Sequence, residues 1–327
     1  MREIAFVKQN KQKWVNYERI IFEKTVKNAD ELSHIYIDLL NDLSYAQTYY
    51  PESKTTQFLN QLSSQFYQKI YVSKKVEQNS IIHFFKTQVP LIAFEYRKYI
   101  YFAFALFLLF VGIGVISAKH DESFVRLILG DHYVNMTIEN IEKGNPVAVY
   151  KGGESWSSSF GITINNLYVG VRCYIYGIFL GLGTFYIMLQ NAIMLGSFQY
   201  FFFEKGVFME SVRGIWLHGS MEIFAIIIEI AAGFILGGSI LFPKTFSRLQ
   251  SFKIGFKKSF YLFLSTIPFT FAAGMIEGYV TRYALEMPNF LNYFIILSTL
   301  GFIMYYYLIY PIIKHKKNNN EKNIPTI

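Results

Sequence analysis

The chain has 327 residues, of which 52% are hydrophobic and 19% aromatic, with 33 Phe and 25 Tyr. This composition is unusual for a soluble protein of this length and predicts an integral membrane protein. The formal net charge is +8, but the basic residues lie in loops and tails, which indicates orientation by the positive-inside rule and argues against nucleic-acid binding.

Residues 1–79 are predicted to form a cytoplasmic helical domain, because apolar residues recur at helical spacing in three segments. The core positions predicted for the second helix are Leu32, Ile35, Leu39, Leu43 and Ala46. Pro51 ends that helix, and Ser53 is a candidate N-cap for the third. The chain starts without the apolar region of a signal peptide, so we expect this end to stay in the cytoplasm. The helices form either a self-packed bundle or a docking surface that a partner covers.

A transmembrane domain is predicted for residues 99–313. Residues 80–98 are interrupted by Pro90 and carry charges, so they are expected to form an interfacial helix that leads into the first crossing. The apolar segments long enough to cross a bilayer are about 99–117, 162–182, 185–204, 216–241, 260–280 and 291–313. The basic tail, residues 314–327, is expected to be cytoplasmic.

The number of crossings depends on the loops. The loop at 118–161 has more acidic than basic residues and is expected outside, whereas 242–259 contains only basic charges and is expected inside. Two cytoplasmic termini then require six spans, with a hairpin at 162–204 that turns near Gly181. A five-span alternative makes 162–189 one crossing and puts 190–204 on a surface, but it would place the all-basic loop outside.

The segment from Gly214 to Pro243 is long enough to span a membrane, yet it contains His218, Glu222 and Glu229. At about 100° per residue, Glu222 lies about 40° and Glu229 about 20° from His218, so all three share one face. Ala225, Ala232 and Gly233 flank that face. Small residues of this kind allow a second helix to approach closely.

Polar residues on other predicted spans are expected to meet this face near the outer side of the membrane. Asn165 and Asn166 begin one span, and Glu277 ends another. Arg172 is matched in depth to Glu229, so the two form either a structural ion pair or a mobile charge pair. Each of these polar groups also has a plain interpretation as a residue that merely packs helices together.

Two other functions remain open from the residues alone. His218 and Glu222 at i, i+4 are candidate metal ligands for an intramembrane hydrolase, with His120 or His132 as a third ligand. The chain lacks a His-Glu-x-x-His motif, its single cysteine Cys173 excludes a cysteine-based zinc site, and Ser220 lacks the context of a catalytic serine. Buried Arg, Glu and His side chains would also suit an ion or small-molecule transporter or channel, but no inverted repeat is evident.

Several motifs along the chain resemble a known family. They are Tyr36-x-x-Leu39-x-x-Asp42-Leu43 with Tyr50-Pro51, Asn165-Asn166, Gln190-Asn191, His218-Gly219-x-x-Glu222-x-x-Ala225-Ile226 and Ile276-Glu277-Gly278. This set is similar to membrane proteins related to stage II sporulation protein M. The resemblance extends over nearly the whole chain, and the histidine–glutamate block is its most specific part. Ala192 stands where we expect a glycine after Gln190-Asn191.

The resemblance implies a multi-span protein of the bacterial plasma (inner) membrane. In sporulating members it belongs to machinery that recruits peptidoglycan-degrading partners during engulfment, but this sporulation role is not carried over to the present chain. What transfers is a membrane scaffold with a cytoplasmic helical domain and a polar cluster within the membrane.

The sequence therefore predicts an all-α integral membrane protein with five to six transmembrane helices and an N-terminal cytoplasmic helical domain. We interpret it as a non-enzymatic scaffold in the lipid bilayer that forms homo-oligomers and assembles other membrane or cell-envelope proteins. The cofactor is unknown, and the polar cluster is a candidate site for a small polar ligand, a lipid headgroup or an ion. Its predicted members are Asn165, Asn166, Arg172, Asn191, His218, Glu222, Glu229 and Glu277.

Overall fold

A computed structural model describes residues 2–23, 29–77, 81–146, 148 and 155–322 of the chain. All regular secondary structure in these residues is helical, which confirms the predicted all-α fold. The chain divides into two compact units, Met1–Phe84 and Phe85–Ile327.

The first unit contains three long helices, α1 (Glu3–Glu23), α2 (Ala29–Tyr49) and α3 (Lys54–Glu77), followed by the short α4 (Ile81–His83). They pack on one another around a core of residues from all three long helices. The buried core residues are Phe6, Trp14, Leu32, Ile35, Leu39, Leu43, Ala46, Leu59, Leu62 and Phe66. All five core positions predicted for α2 are in this set. The predicted cap is also present, since the Ser53 hydroxyl accepts a hydrogen bond from the Thr56 N–H at 3.2 Å.

Polar residues lie at the edge of this core and are hydrogen-bonded. The Trp14 indole N–H and the Tyr17 hydroxyl donate to Asp42 at 2.7 Å and to Asp38 at 2.9 Å, respectively. Lys13 lies 3.0 Å from Asp38 and 2.6 Å from Asp42. Burial alone would raise the pKa of Asp38, but hydrogen bonds from Lys13 and Tyr17 outweigh it, so the net shift is downward from 3.8.

The second unit begins with a π-helical turn, Phe84–Gln88, and the short helix α5 (Val89–Glu95). This is the region predicted as an interfacial helix. Val89, Ile92 and Ala93 are buried, and α5 packs against α12 and α14 of the same unit. An ion pair between Glu95 and Lys258 also joins α5 to α12.

Seven helices follow up to residue 279. They are α6 (Arg97–His120), α7 (Glu122–Leu129), α8 (Asp131–Glu142), α9 (Ser155–Ile175), α10 (Leu182–Glu204), α11 (Phe208–Leu241) and α12 (Arg248–Tyr279). The chain ends with α13 (Asn289–Met304), a π-helical turn at Tyr305–Ile309, and α14 (Tyr310–Lys322). Helix α11 lies at the centre and contacts α6, α9, α10, α12 and α13.

Four helical segments are long and apolar enough to cross a membrane. They are Arg97–His120, Phe208–Leu241, Arg248–Tyr283 and Asn289–Asn320. Each contains a predicted span and extends beyond it, because the helix continues into the polar residues at the ends of the apolar stretch. These segments make the chain an integral membrane protein.

The apolar stretch at 162–204 is divided between α9 and α10. A 3₁₀ turn at Tyr176–Ile178 follows α9, and Gly181 precedes α10 with a φ of +83°. Only glycine adopts this left-handed conformation without strain. The break lies close to the hairpin turn predicted from the glycines.

The predicted outer loop at 118–161 contains more helix than its turn-rich sequence suggested. Helices α7 and α8 lie in this segment, and α9 already begins at Ser155. Val125 and Val134 pack with Phe201, Phe202 and other residues of the bundle. Helices α7 and α8 therefore fold onto the membrane domain.

Close approach of helices depends on small residues at their crossings. A side chain added at Gly233 of α11 would collide with the Cys173 carbonyl of α9 and with Thr184 of α10. Ala225 and Ala232, predicted to flank the polar face of α11, are also buried. Packing of this kind holds helices together in lipid, where apolar burial provides little driving force.

Candidate ligand site in the helix bundle

A cavity of about 620 Å³ lies between helices of the second unit. Its walls are largely apolar and include Phe107, Leu195, Phe198, Ile223 and Ile226. Six polar residues from α9 to α12 also line it, namely Asn165, Asn166, Asn191, His218, Glu222 and Glu277. Ligand sites in proteins commonly have this combination of apolar walls and a few convergent polar groups.

His218 is held in a defined orientation at this cavity. Its Nδ1 lies 3.0 Å from the Thr281 hydroxyl, and its Nε2 lies 3.7 Å from an oxygen of Glu277. The imidazole is almost completely buried, with 4% of the residue exposed. The contact with Thr281 thus orients the ring, with Nε2 on the side of Glu277.

Glu222 completes a compact cluster with these two residues. One ligand atom from each of His218, Glu222 and Glu277 lies within 4.8 Å of the others. His218 and Glu222 are four residues apart on α11, so they face the same side, and α12 brings Glu277 to them. One nitrogen and two carboxylates in this arrangement could bind a cation.

The three asparagines surround the cluster in different ways. Asn165 is exposed at the cavity, and Asn191 is tied to its own helix by donating to the Ile187 carbonyl at 2.8 Å. Asn166 is 8% exposed and lies against Glu222, but its buried Nδ2 has no hydrogen-bond partner of normal geometry. A buried amide donor in this condition is costly, which suggests that it serves a ligand.

Glu229 lies outside the cavity, although it shares the face of α11 that contains His218. Its carboxylate accepts a hydrogen bond from the Thr266 hydroxyl at 2.7 Å and lies directly against Gly170 of α9. Glu229 is 1% exposed. It therefore belongs to the contact between α9, α11 and α12.

The predicted pairing of Arg172 with Glu229 was wrong, because Arg172 lies against tyrosines of its own helix region and Glu229 bonds to Thr266 of α12. Among the residues that the structure describes, Arg172 forms no ion pair with Glu229. Its guanidinium lies over the rings of Tyr168 and Tyr176, at 5.7 and 5.9 Å from their centroids. Contacts with aromatic faces stabilise the arginine cation without an acid.

Two residues of the metal-ligand hypothesis, His218 and Glu222, lie in the cluster, whereas the third ligands considered do not. His120 and His132 are exposed, and His120 bonds to the carbonyl of Ile116. Glu277 takes the third position. The sequence analysis missed Thr281, although its spacing of four residues from Glu277 on a continuing helix was a usable signal.

Comparison with known proteins finds a family model that matches a region in each part of the chain. Residues 103–282 match the family model of stage II sporulation protein M. Residues 4–72 match a separate model, described as a domain of unknown function (DUF8413), so the first match is narrower than the whole-chain resemblance. No curated protein and no solved structure matches the chain. The stage II match includes all eight predicted cluster residues and more than half of the chain, which therefore belongs to the stage II sporulation protein M family.

Proposed function

We propose that this protein is a non-enzymatic scaffold of the bacterial inner membrane that assembles membrane or cell-envelope partners and binds a small ligand in its intramembrane cavity. The observation that carries the proposal is the cavity itself, in which three ionisable side chains converge between apolar walls. Ionisable groups at membrane depth are expensive, and they commonly mark functional sites.

We favour six crossings for this scaffold. Helices α9 and α10 have 21 and 23 residues, so each is about 30 Å long or more, enough to cross the hydrocarbon core. An exposed apolar stripe follows α9, as expected for a lipid-facing surface. Its residues are Phe160, Ile164, Tyr168, Val171 and Ile175.

With six crossings and the basic loop at 242–259 on the cytoplasmic side, both termini also lie in the cytoplasm. The cavity then lies towards the outer side, where α7 and α8 contribute Leu129 and Tyr133 to its wall. Labelling of single cysteines introduced at 118–161 and 242–259 tests this orientation in a Cys173→Ser background. Labelling of a cysteine in the 242–259 loop by a reagent added outside intact cells would reject this orientation.

Partner assembly is proposed to use the N-terminal helices and the α7–α8 segment. The core of the first unit is complete without a partner, yet Ile37 and Leu40 remain exposed on α2. Exposed apolar side chains on a helix can contribute a small binding surface. Pull-down of the full chain from its own membranes should recover fewer partners with Ile37→Glu than with the control Gln12→Glu.

The decisive test compares cavity residues with a matched position on the same helix. His218→Ala and Glu222→Ala should change the set of recovered partners and the cell phenotype. Glu210→Ala is the control, because Glu210 lies in the first turn of α11 and does not line the cavity. The proposed role of the cavity is rejected if all three variants behave like the wild type.

The two alternative functions have less structural support. For transport, Glu229 bonds to Thr266 and Arg172 lies against tyrosines, and neither residue lines the cavity together with His218 and Glu222. For the metal-dependent hydrolase, His120 and His132, the third ligands that this hypothesis named, are exposed and lie outside the cluster. The contacts of the described residues therefore give no particular support to either alternative.

A further inference from the structure

We propose that His218, Glu222 and Glu277 bind one divalent transition-metal ion at the polar end of the cavity. This inference rests on the proposed function, because it identifies part of the ligand of the same cavity. It assigns the metal a structural or regulatory role in ligand binding and does not require catalysis.

The hydrogen bond between His218 and Thr281 is compatible with the tautomer that can bind a metal. The Thr281 hydroxyl donates to the Ile276 carbonyl at 3.4 Å, so its oxygen is available to accept the Nδ1–H of His218 at 3.0 Å. The Nε2 atom of that tautomer carries a lone pair and faces Glu277. Metal-binding histidines are commonly oriented in this way, through a hydrogen bond at the other ring nitrogen.

The distances within the cluster suit a shared cation. Nε2 and the nearest Glu277 oxygen are 3.7 Å apart, too far for a direct hydrogen bond. A metal about 2.0–2.1 Å from each atom would fit between them at an open angle. The 4.8 Å limit over all three ligand atoms requires only a small inward movement of the side chains.

Charge balance also favours a dication. When both carboxyl groups release their protons to bind a metal, they and a neutral imidazole carry a local charge of −2 within the bundle. Glu222 and Glu277 are close enough to repel each other, and a single divalent ion would neutralise both. A monovalent cation would leave one negative charge uncompensated.

The ligand types narrow the class of metal. Imidazole nitrogen favours zinc, iron and related first-row ions over magnesium and calcium, and carboxylates are acceptable to them. Cys173, the only cysteine of the chain, does not line the cavity. Three protein ligands leave at least one coordination position for water or for a ligand group, towards which Asn166 Nδ2 could donate.

The test uses the full chain in detergent, with the purification tag removed, and zinc alone as the probe. Equilibrium dialysis followed by elemental analysis should give about one zinc per chain. Glu277→Gln and His218→Gln should each weaken zinc binding at least tenfold. Thr281→Val should weaken it about tenfold, as expected when the residue that orients a ligand is lost.

Glu229→Gln is the matched control, because it changes a buried carboxylate of α11 that does not line the cavity. It should bind zinc within twofold of the wild type. Circular dichroism of each variant checks that the helices are retained. The proposal is overturned if the wild type does not bind zinc or if all variants bind it equally. His218 and Glu277 would then only contact each other.

These outcomes are separable from those of the scaffold proposal. If the wild type does not bind zinc, the proposed metal site is rejected, whatever partners the pull-down recovers. An unchanged partner set with His218→Ala and Glu222→Ala rejects the role of the cavity in assembly, even if zinc binds.

Discussion

The N-terminal bundle and the membrane bundle treat their polar residues in opposite ways. In the first unit, Asp38 and Asp42 lie at the edge of an apolar core, and Lys13, Trp14 and Tyr17 bond to them. In the second, His218, Glu222 and Glu277 meet inside the bundle, and the buried Asn166 Nδ2 lies against Glu222 without a hydrogen bond of normal geometry. The first arrangement is explained by stability alone. The second is costly for folding, which is why it points to a ligand.

The largest effect is expected from the core of the first unit. Trp14→Ala removes a side chain that is 3% exposed and leaves Asp42 without its indole donor. We expect a loss of about 4 kcal/mol in the stability of this unit. Hydrogen exchange of α1–α3 in the full chain measures it. Val15→Ala, at an exposed neighbour, should change exchange little, and equal effects would contradict the proposed core.

A slightly smaller effect is expected at a helix crossing of the second unit. Gly233→Val should cost about 3 kcal/mol, because the added side chain meets the backbone at Cys173 and the side chain of Thr184. Thermal unfolding in detergent measures the change. Gly112→Val is the control, since nothing lies within 4 Å of a side chain added there. Similar melting of both variants would show that the crossing is looser than described.

The third prediction is that replacing a polar residue of the cavity does not lower stability, in contrast to the two variants above. With a chelator present, Glu277→Gln should leave the melting temperature unchanged or raise it, by up to about 1 kcal/mol in stability, because it removes one of two neighbouring carboxylates. Asp42→Asn in the first unit should instead destabilise that unit, since Asp42 bonds to Lys13 and Trp14. Destabilisation by Glu277→Gln would remove the contrast between the units.

The smallest effect is a pH dependence of the first unit. The folded-state pKa of Asp38 is lowered from its usual 3.8, so its contribution is complete well above 3.8 and is lost as pH falls through the folded value. The pair with Lys13 is partly exposed, so we expect no more than about 1 kcal/mol. In the Asp38→Asn variant, the stability of the first unit should fall less steeply as pH is lowered. Hydrogen exchange in α2 measures this dependence. An unchanged pH dependence would exclude Asp38 as its cause.

Sequence periodicity was sufficient for the helices and for the core of the first unit. Leu39 and Leu59 are each completely buried, as expected where the spacing of apolar residues alone decides which face turns inward. The grouping of Asn165, His218 and Glu222 at one cavity also followed from their positions along predicted spans.

The rotation of each helix about its own axis, relative to its neighbours, could not be predicted from periodicity. Arg172 and Glu229 are similar in depth, but depth does not decide which neighbour a side chain faces. Glu277 lies at the end of its predicted span, which does not reveal its neighbours, yet the fold places it beside His218. Spacing along one helix gives a face, whereas contact between two helices depends on how they cross.

Helix α8 supplies Tyr133 to the wall of the cavity while most of α8 belongs to the segment between two membrane crossings. The binding free energy of any ligand that contacts Tyr133 in the cavity therefore depends on the position of this segment. Thermodynamic linkage makes the relation reciprocal, so a molecule that binds α8 would change the affinity of the cavity for its ligand by the same factor as that ligand changes the affinity of α8 for the molecule. The contact at Tyr133 thus couples occupancy of the cavity to the position of α8.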